Sequence, residues 1–199
     1  KEWDFLAKQF EEAYAMKDHL THVSPRVQNR NLPYTPVAPS DTMQNEPDTD
    51  FDLSQNQEWV RRIFAKWKKS GTEEPEIIPL QIGAETVVCK NRYKYLDRCQ
   101  NDEVCICEMS QADSAQVEKI IEIAETDPAG WRKTTLEERH RIMYEAANRL
   151  ADMRGDLIGC MCAVTGKTVI EGDVEVSEAV DYARFYTTAM KKFAAHYIF

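Results

Sequence analysis

The chain has 199 residues and carries 34 acidic against 25 basic side chains, a formal net charge of -9. That balance opposes binding to phosphate backbones and anionic bilayers, so a general nucleic-acid function is set aside. With 43% hydrophobic, 30% charged and 10% aromatic residues the composition is globular, no apolar run approaches the ~18 residues a membrane span needs, and the opening Lys1-Glu2-Trp3-Asp4 is no signal peptide. A soluble cytoplasmic protein with no membrane span is expected.

Taken in chain order, Trp3, Leu6, Phe10, Ala13 and Tyr14 share one face of a short amphipathic helix ending near Lys17. From 23 to 54 the character changes. Five of the eight prolines fall there, and 41–52 holds five acids and no base. This reads as an extended, solvated linker, because proline excludes helix interiors and central strands. Ser54 and Gln57 have capping-box spacing, and Trp59, Val60, Ile63, Phe64 and Trp67 then predict a helix to about Lys69 whose outer face is basic.

Between Ile77 and Met109 the texture is β-like. Three or four short antiparallel strands are expected, at Pro79 to Gly83, Thr86 to Cys89, Tyr93 to Leu96 and Val104 to Met109, separated by Gly83, Asn91 and Asn101-Asp102. Asp113 with Gln116 is a second capping box, opening a helix striped by Val117, Ile120, Ile121 and Ala124 and stopped before Pro128. Thr135 with Glu138 is a third, with Ile142, Met143, Ala146, Leu150 and Met153 as the expected inner face. Gly155 is read as an interruption, followed by a short helix from about Asp156 to Val164. A last helix is expected from Asp173, after Gly172, with Val176, Val180, Ala183, Thr187 and Met190 along one side.

Six cysteines, Cys89, Cys99, Cys105, Cys107, Cys160 and Cys162, are spaced as C-x-C rather than C-x₂-C, with no histidine at finger distance. Reduced, apolar thiols are expected, and no metal site. Gly166-Lys167-Thr168 has the ending of a phosphate loop, but Met161 stands where its first glycine belongs, so Gly166 reads as a helix stop. No two glycines are separated by a single residue, so no dinucleotide cradle is expected. His19, His22, His140 and His196 have no neighbouring nucleophile. His140 lies between Arg139 and Arg141, which would depress its pKa. Glu171, Glu175, Glu178 and Asp181 share a helical side and read as a solvated face. Glu178 is set apart by the following Val180, Tyr182 and Phe185, which suggest a pocket wall.

From Ile82 onward the sequence resembles the amino-terminal part of an aldehyde dehydrogenase, most closely the 1-pyrroline-5-carboxylate (L-glutamate γ-semialdehyde) dehydrogenase branch. The runs that carry the resemblance are Gly130-Trp-Arg-Lys-Thr-Thr-Leu-Glu-Glu-Arg, Ala146-Ala-Asn-Arg-Leu-Ala, Val164-Thr-Gly-Lys and Glu175-Val-Ser-Glu-Ala-Val-Asp-Tyr-Ala-Arg-Phe-Tyr. Upstream, Gln44-Asn-Glu-Pro-Asp-Thr-Asp-Phe is similar to the junction between proline dehydrogenase and this enzyme in bifunctional proline utilisation A proteins, and Phe5-Leu-Ala-Lys-Gln-Phe is similar to the tail of the proline dehydrogenase module.

The resemblance implies an α+β, mainly helical fold, with short antiparallel strands followed by the helical layer of an incomplete aldehyde dehydrogenase. It implies a division into 1–22, the tail of a preceding module; 23–54, the linker; and 55–199, the dehydrogenase portion. It implies NAD for the complete enzyme, and FAD if proline dehydrogenase is fused to it, with neither held by this chain. In the family the nucleotide-binding strands, the thiolate nucleophile and the water-activating glutamate come later than Arg184-Phe-Tyr. The chain is therefore expected to be a piece of a larger NAD-dependent enzyme of proline catabolism, with no catalytic residue and no turnover of its own. One substrate contact carries over, Glu178, whose carboxylate would meet the substrate's α-ammonium. The alternative is a non-catalytic interaction or scaffold module derived from the same fold. Phe185, Tyr186, Phe193, Tyr197 and Phe199 would form an apolar patch on the last helix, covered by the remainder of the enzyme or by self-association.

Overall fold

A computed structural model describes residues 2–19, 23–68, 74–98, 100 and 104–196. Helix α1 (Glu2–Ala15) ends in a 3-10 turn, Lys17–His19. Its apolar side is open to solvent, with Trp3, Phe10 and Tyr14 all more than half exposed. No helix is long and apolar enough to cross a membrane among the described residues.

The centre is a three-helix layer of α4 (Leu136–Asp152), α5 (Arg154–Thr165) and α6 (Val169–His196), with α2 (Ser54–Trp67) against α5. Its core is Ala147 and Ala151 of α4, Ile158 and Cys162 of α5, and Val176, Val180 and Ala183 of α6. Alanines at these crossings let the backbones approach, and larger side chains such as Leu150, Leu157 and Met161 pack around the rim. Where α2 crosses α5, Gly159 is required: a Cβ there would lie 2.1 Å from Trp67 Cδ1.

The α4 face is rotated from the one the apolar letters predict. His140, Tyr144, Ala147 and Ala151 are buried, while Met153 is half exposed. The shift is about one residue, or roughly 100°. Tyr144 turns inward because its hydroxyl finds partners there, donating to Ser40 O at 3.1 Å and lying 3.5 Å from Thr188 Oγ1.

Boundaries follow local chemistry. Asp113 and Gln116 form the expected capping box on α3 (Ser114–Thr126), and Thr135 and Glu138 form theirs on α4. Ser54 and Gln57 do not: Leu53 is the N-cap, and Gln57 Nε2 instead donates to Phe51 O at 3.1 Å. Gly155 lies inside α5, and the break falls at Met153. Helix α6 starts at Val169, four residues before the expected Asp173, because Thr168 and Glu171 cap it reciprocally. Gly166, at φ +73°, ends α5 with its N–H on Cys162 O, as the helix-stop reading expects.

Among the described residues, five strands form two small sheets. β1 (Glu76–Ile78), β4 (Arg92–Leu96) and β5 (Cys105–Ser110) lie in the order β1-β5-β4, and β2 (Leu80–Ile82) pairs with β3 (Glu85–Val87) around Gly83. The β4–β5 and β2–β3 pairs are antiparallel as expected, but β1, which the sequence reading did not contain, runs parallel to β5. Pro79 separates β1 from β2. Cys105 and Cys107 share one half-buried face of β5, Cys162 is buried, and the five described cysteines are free thiols; Cys99 lies outside the described residues. The stripe of α3 is present but lies open, with Val117, Ile120 and Ile121 each over two-fifths exposed.

The 23–54 segment has no helix before Ser54 and no strand, yet it is not the exposed connector its composition suggests. Glu46 and Thr49 are buried against the helical layer. Asn148 on α4 holds both backbone groups of Val37, and Asn56 on α2, fully buried, accepts from Arg30 N and donates to Gln28 Oε1 and Asp50 O. Side chains rather than a ladder satisfy its backbone.

Candidate functional site

Helix α6 organises the site because its two sides do different work. One side carries Asp173, Val176, Ser177, Val180, Ala183 and Arg184 into the interior. The other presents Glu178, Asp181, Tyr182, Phe185 and Tyr186, at i, i+3, i+4, i+7 and i+8, to an open groove of about 620 Å³. Residues 43–48 form the facing wall. The two walls are joined by Asp181, whose Oδ1 accepts from Glu46 N at 2.7 Å and Oδ2 from Asn45 Nδ2 at 2.5 Å.

Glu178 lines this groove beside Tyr182 and Phe185, but it is exposed, and the two rings, each about half exposed, do not shield it from water. Tyr182 Oη donates to Glu178 Oε1 at 2.8 Å. That bond and the carboxylate charge raise the Tyr182 pKa, so the phenol stays a donor. The acidic stripe faces solvent as read, with Glu171, Glu175 and Glu178 exposed and Asp181 half-buried, and each member also has a protein partner. Glu171 caps Thr168, Glu175 pairs with Lys167, Glu178 holds Tyr182 and Asp181 holds 45–46.

Beneath the groove lies an ionic cluster that sequence reasoning missed. Arg154 Nη1 donates to Asp173 Oδ1 at 2.8 Å, and its Nη2 to Ser177 Oγ at 3.0 Å and Glu46 Oε1 at 3.4 Å. Arg184 donates to Glu46 Oε2 at 3.1 Å and Tyr34 Oη at 2.9 Å. Thr49 gives both N and Oγ1 to Asp173 at 2.6 Å. Glu46, Arg154, Asp173 and Arg184 are each less than 8% exposed. Such charges persist in a protein interior when paired, and the cluster supplies that pairing across 108 to 138 residues of sequence, leaving only the Nε atoms of Arg154 and Arg184 without a partner among the described residues. The one available signal was the Glu46-Pro-Asp-Thr run itself, read as solvated charge.

His140 is buried against the Tyr144 ring, 4.7 Å between centroids, and neither ring nitrogen has a hydrogen-bond partner among the described residues. Its pKa is lowered as expected, by burial and then by Lys191 rather than by the flanking arginines. Of the other histidines, His22 lies outside the described residues, and His196 Nδ1 is 2.7 Å from Lys192 O.

No glycine-rich turn joins a strand to a helix among the described residues. β5 leads into α3 through Gln111-Ala112-Asp113 without a glycine, and the described glycines close a hairpin, cap helices or lie within them.

Residues 89–198, more than half of the chain, match the aldehyde dehydrogenase family. The chain belongs to that family. Among curated relatives, the 1-pyrroline-5-carboxylate dehydrogenase of Geobacillus sp. (strain WCH70) is 30% identical over 149 residues, 74% of this chain and 28% of the relative. That of Bacillus pumilus is 26% identical over 151 residues, 75% of this chain and again 28% of the relative. Among solved structures, proline utilization A from Bdellovibrio bacteriovorus, inactivated by N-propargylglycine, superposes with a TM-score of 0.70 at 21% identity, over 88% of this chain and 17% of the other. The 1-pyrroline-5-carboxylate dehydrogenase from Thermus with bound NAD gives 0.69 at 24% identity, over 76% of this chain and 28% of the other. At these identities the structures establish the fold. This aldehyde dehydrogenase chain spans about 28% of the length of the curated relatives it matches.

Proposed function

We propose that this chain is the substrate-recognising helical layer of an NAD-dependent 1-pyrroline-5-carboxylate (L-glutamate γ-semialdehyde) dehydrogenase of proline catabolism, with Glu178 binding the substrate's α-ammonium. The observation that carries this is the Glu178–Tyr182 pair on the groove wall. The phenol occupies one carboxylate oxygen and fixes the rotamer, leaving the other to accept from an ammonium. Tyr182, Phe185 and Tyr186 offer ring faces to the same cation, and Asp181 and the exposed Asp48 line the groove with further negative charge. The nucleophile and the nucleotide site are assigned to sequence outside this chain.

In this reading 1–22 ends a preceding module, 23–54 connects it, and 55–199 opens the dehydrogenase. FAD belongs to the preceding module where that module is proline dehydrogenase. The half-exposed aromatics of α6 are covered by the remainder of the enzyme, or by a second copy when the chain is alone.

The test is Glu178→Gln in the dehydrogenase containing this chain. Removing one charge-assisted bond is expected to lower kcat/KM for L-glutamate γ-semialdehyde roughly tenfold or more, and to leave a plain aliphatic aldehyde unaffected. Equal losses on both substrates would overturn the assignment.

A further inference from the structure

The groove that holds Glu178 takes its second wall from a distant part of the chain. Met43, Asn45 and Asp48 line it, facing the side of α6 that carries Glu178, Tyr182 and Phe185. These residues precede 89–198, the stretch that matches the family, and composition reads them as a solvated connector. If the groove takes the substrate, as the Glu178 assignment requires, the placement of this wall is part of recognition.

Asp181 lies one turn after Glu178 on the same side of α6 and is half-buried. Both of its carboxylate oxygens are turned to the wall. Oδ1 accepts from Glu46 N at 2.7 Å and Oδ2 from Asn45 Nδ2 at 2.5 Å, across 135 and 136 residues of sequence. Each is a charge-assisted bond, of the stronger kind. The Glu46 carboxylate is held separately, beneath the groove, by Arg154 and Arg184. The guanidiniums thus hold the Glu46 side chain, while Asp181 orients its peptide and the Asn45 side chain at the groove surface.

We propose that Asp181 is a positioning residue that acts on the substrate through 43–48: it registers this segment against Glu178, and so makes residues upstream of the family match the wall that sets the groove's width. Where the wall is out of place, apparent affinity falls with the fraction of molecules that still present the closed groove, for any substrate that enters it. Glu178, by contrast, distinguishes only substrates that carry an ammonium.

The experiment is steady-state kinetics in the dehydrogenase containing this chain, on L-glutamate γ-semialdehyde and on a plain aliphatic aldehyde. Asp181→Ala removes both acceptors and leaves the N–H of the buried Glu46 unpaired. It is expected to raise KM about fivefold or more for both substrates with little change in kcat. Asp181→Asn removes the charge but keeps both bonds, its carbonyl accepting from Glu46 N and its amide donating to a flipped Asn45 side chain, and is expected to restore KM to within about twofold of the parent. Asn45→Ala, at an exposed side chain, gives up one of the two bonds and should raise both KM values about twofold; it carries the test should Asp181→Ala fail to fold. An asparagine variant as impaired as the alanine one would show that Asp181 acts by charge, and a loss confined to the semialdehyde would make it a second ammonium ligand. Either result, or an unchanged KM in Asn45→Ala, would overturn the proposal. The Glu178 assignment fails on a different result, equal losses on both substrates in Glu178→Gln.

Discussion

His140 is the buried residue whose protonation state folding decides. Tyr144 packs on its ring, and Lys191, Asp41 and Glu137 are the charged groups around it; the two acids oppose the effect of burial and Lys191 without reversing it. Its folded pKa lies below the ordinary 6.5, so folding favours the neutral ring. The corresponding stability is fully present above about pH 6.5 and is lost as pH falls from there through the folded value, because the unfolded chain then binds the extra proton. Melting temperature is expected to fall between pH 7.5 and 5, and His140→Leu to flatten that part of the profile. An unchanged slope in the variant would assign it to other groups. At this scale the sequence showed Glu178, because a resemblance and an aromatic neighbourhood point to the same position. It hid Glu46: an acid beside proline looks solvated until the two arginines it pairs with are folded against it.

Among the elements, helices were most legible where a cap announces them. The Asp113–Gln116 and Thr135–Glu138 boxes are local, three-residue devices and formed as read. The Thr168–Glu171 box has the same grammar but was passed over because Gly172 looked like a boundary. Thr168 Oγ1 accepts from Glu171 N at 3.3 Å, while Glu171 Oε2 accepts from Thr168 N at 2.8 Å and from Thr168 Oγ1 at 2.9 Å, and these two bonds to the carboxylate lower the Glu171 pKa. Thr168→Ala is expected to cost about 1 kcal/mol in urea unfolding, and Thr168→Ser to restore most of it. An alanine variant as stable as the parent would mean that packing of Val169 alone starts α6. The Ser54–Gln57 spacing failed for the converse reason: Leu53 takes the cap position, and Gln57 turns back to Phe51. Strand β1 has three residues and no alternation long enough to read, and its parallel partner lies some thirty residues on.

For the whole molecule, the open apolar faces matter most. Phe185, Tyr186 and Met190 of α6 are each about half exposed, and Tyr197 and Phe199 of the expected patch lie outside the described residues. Sedimentation of the isolated chain is expected to show concentration-dependent association, reduced by Phe185→Ser with Tyr186→Ser. A monodisperse monomer across concentrations would refute the cover argument. Caps and local apolar periodicity settled most helix boundaries, since each depends on residues within one turn of one another. The docking of 23–54, the rotation of α4 and the guanidinium–carboxylate cluster were decided only by tertiary structure. Each is a contact between segments about a hundred residues apart, where burial reverses what a charged or aromatic side chain would do in water.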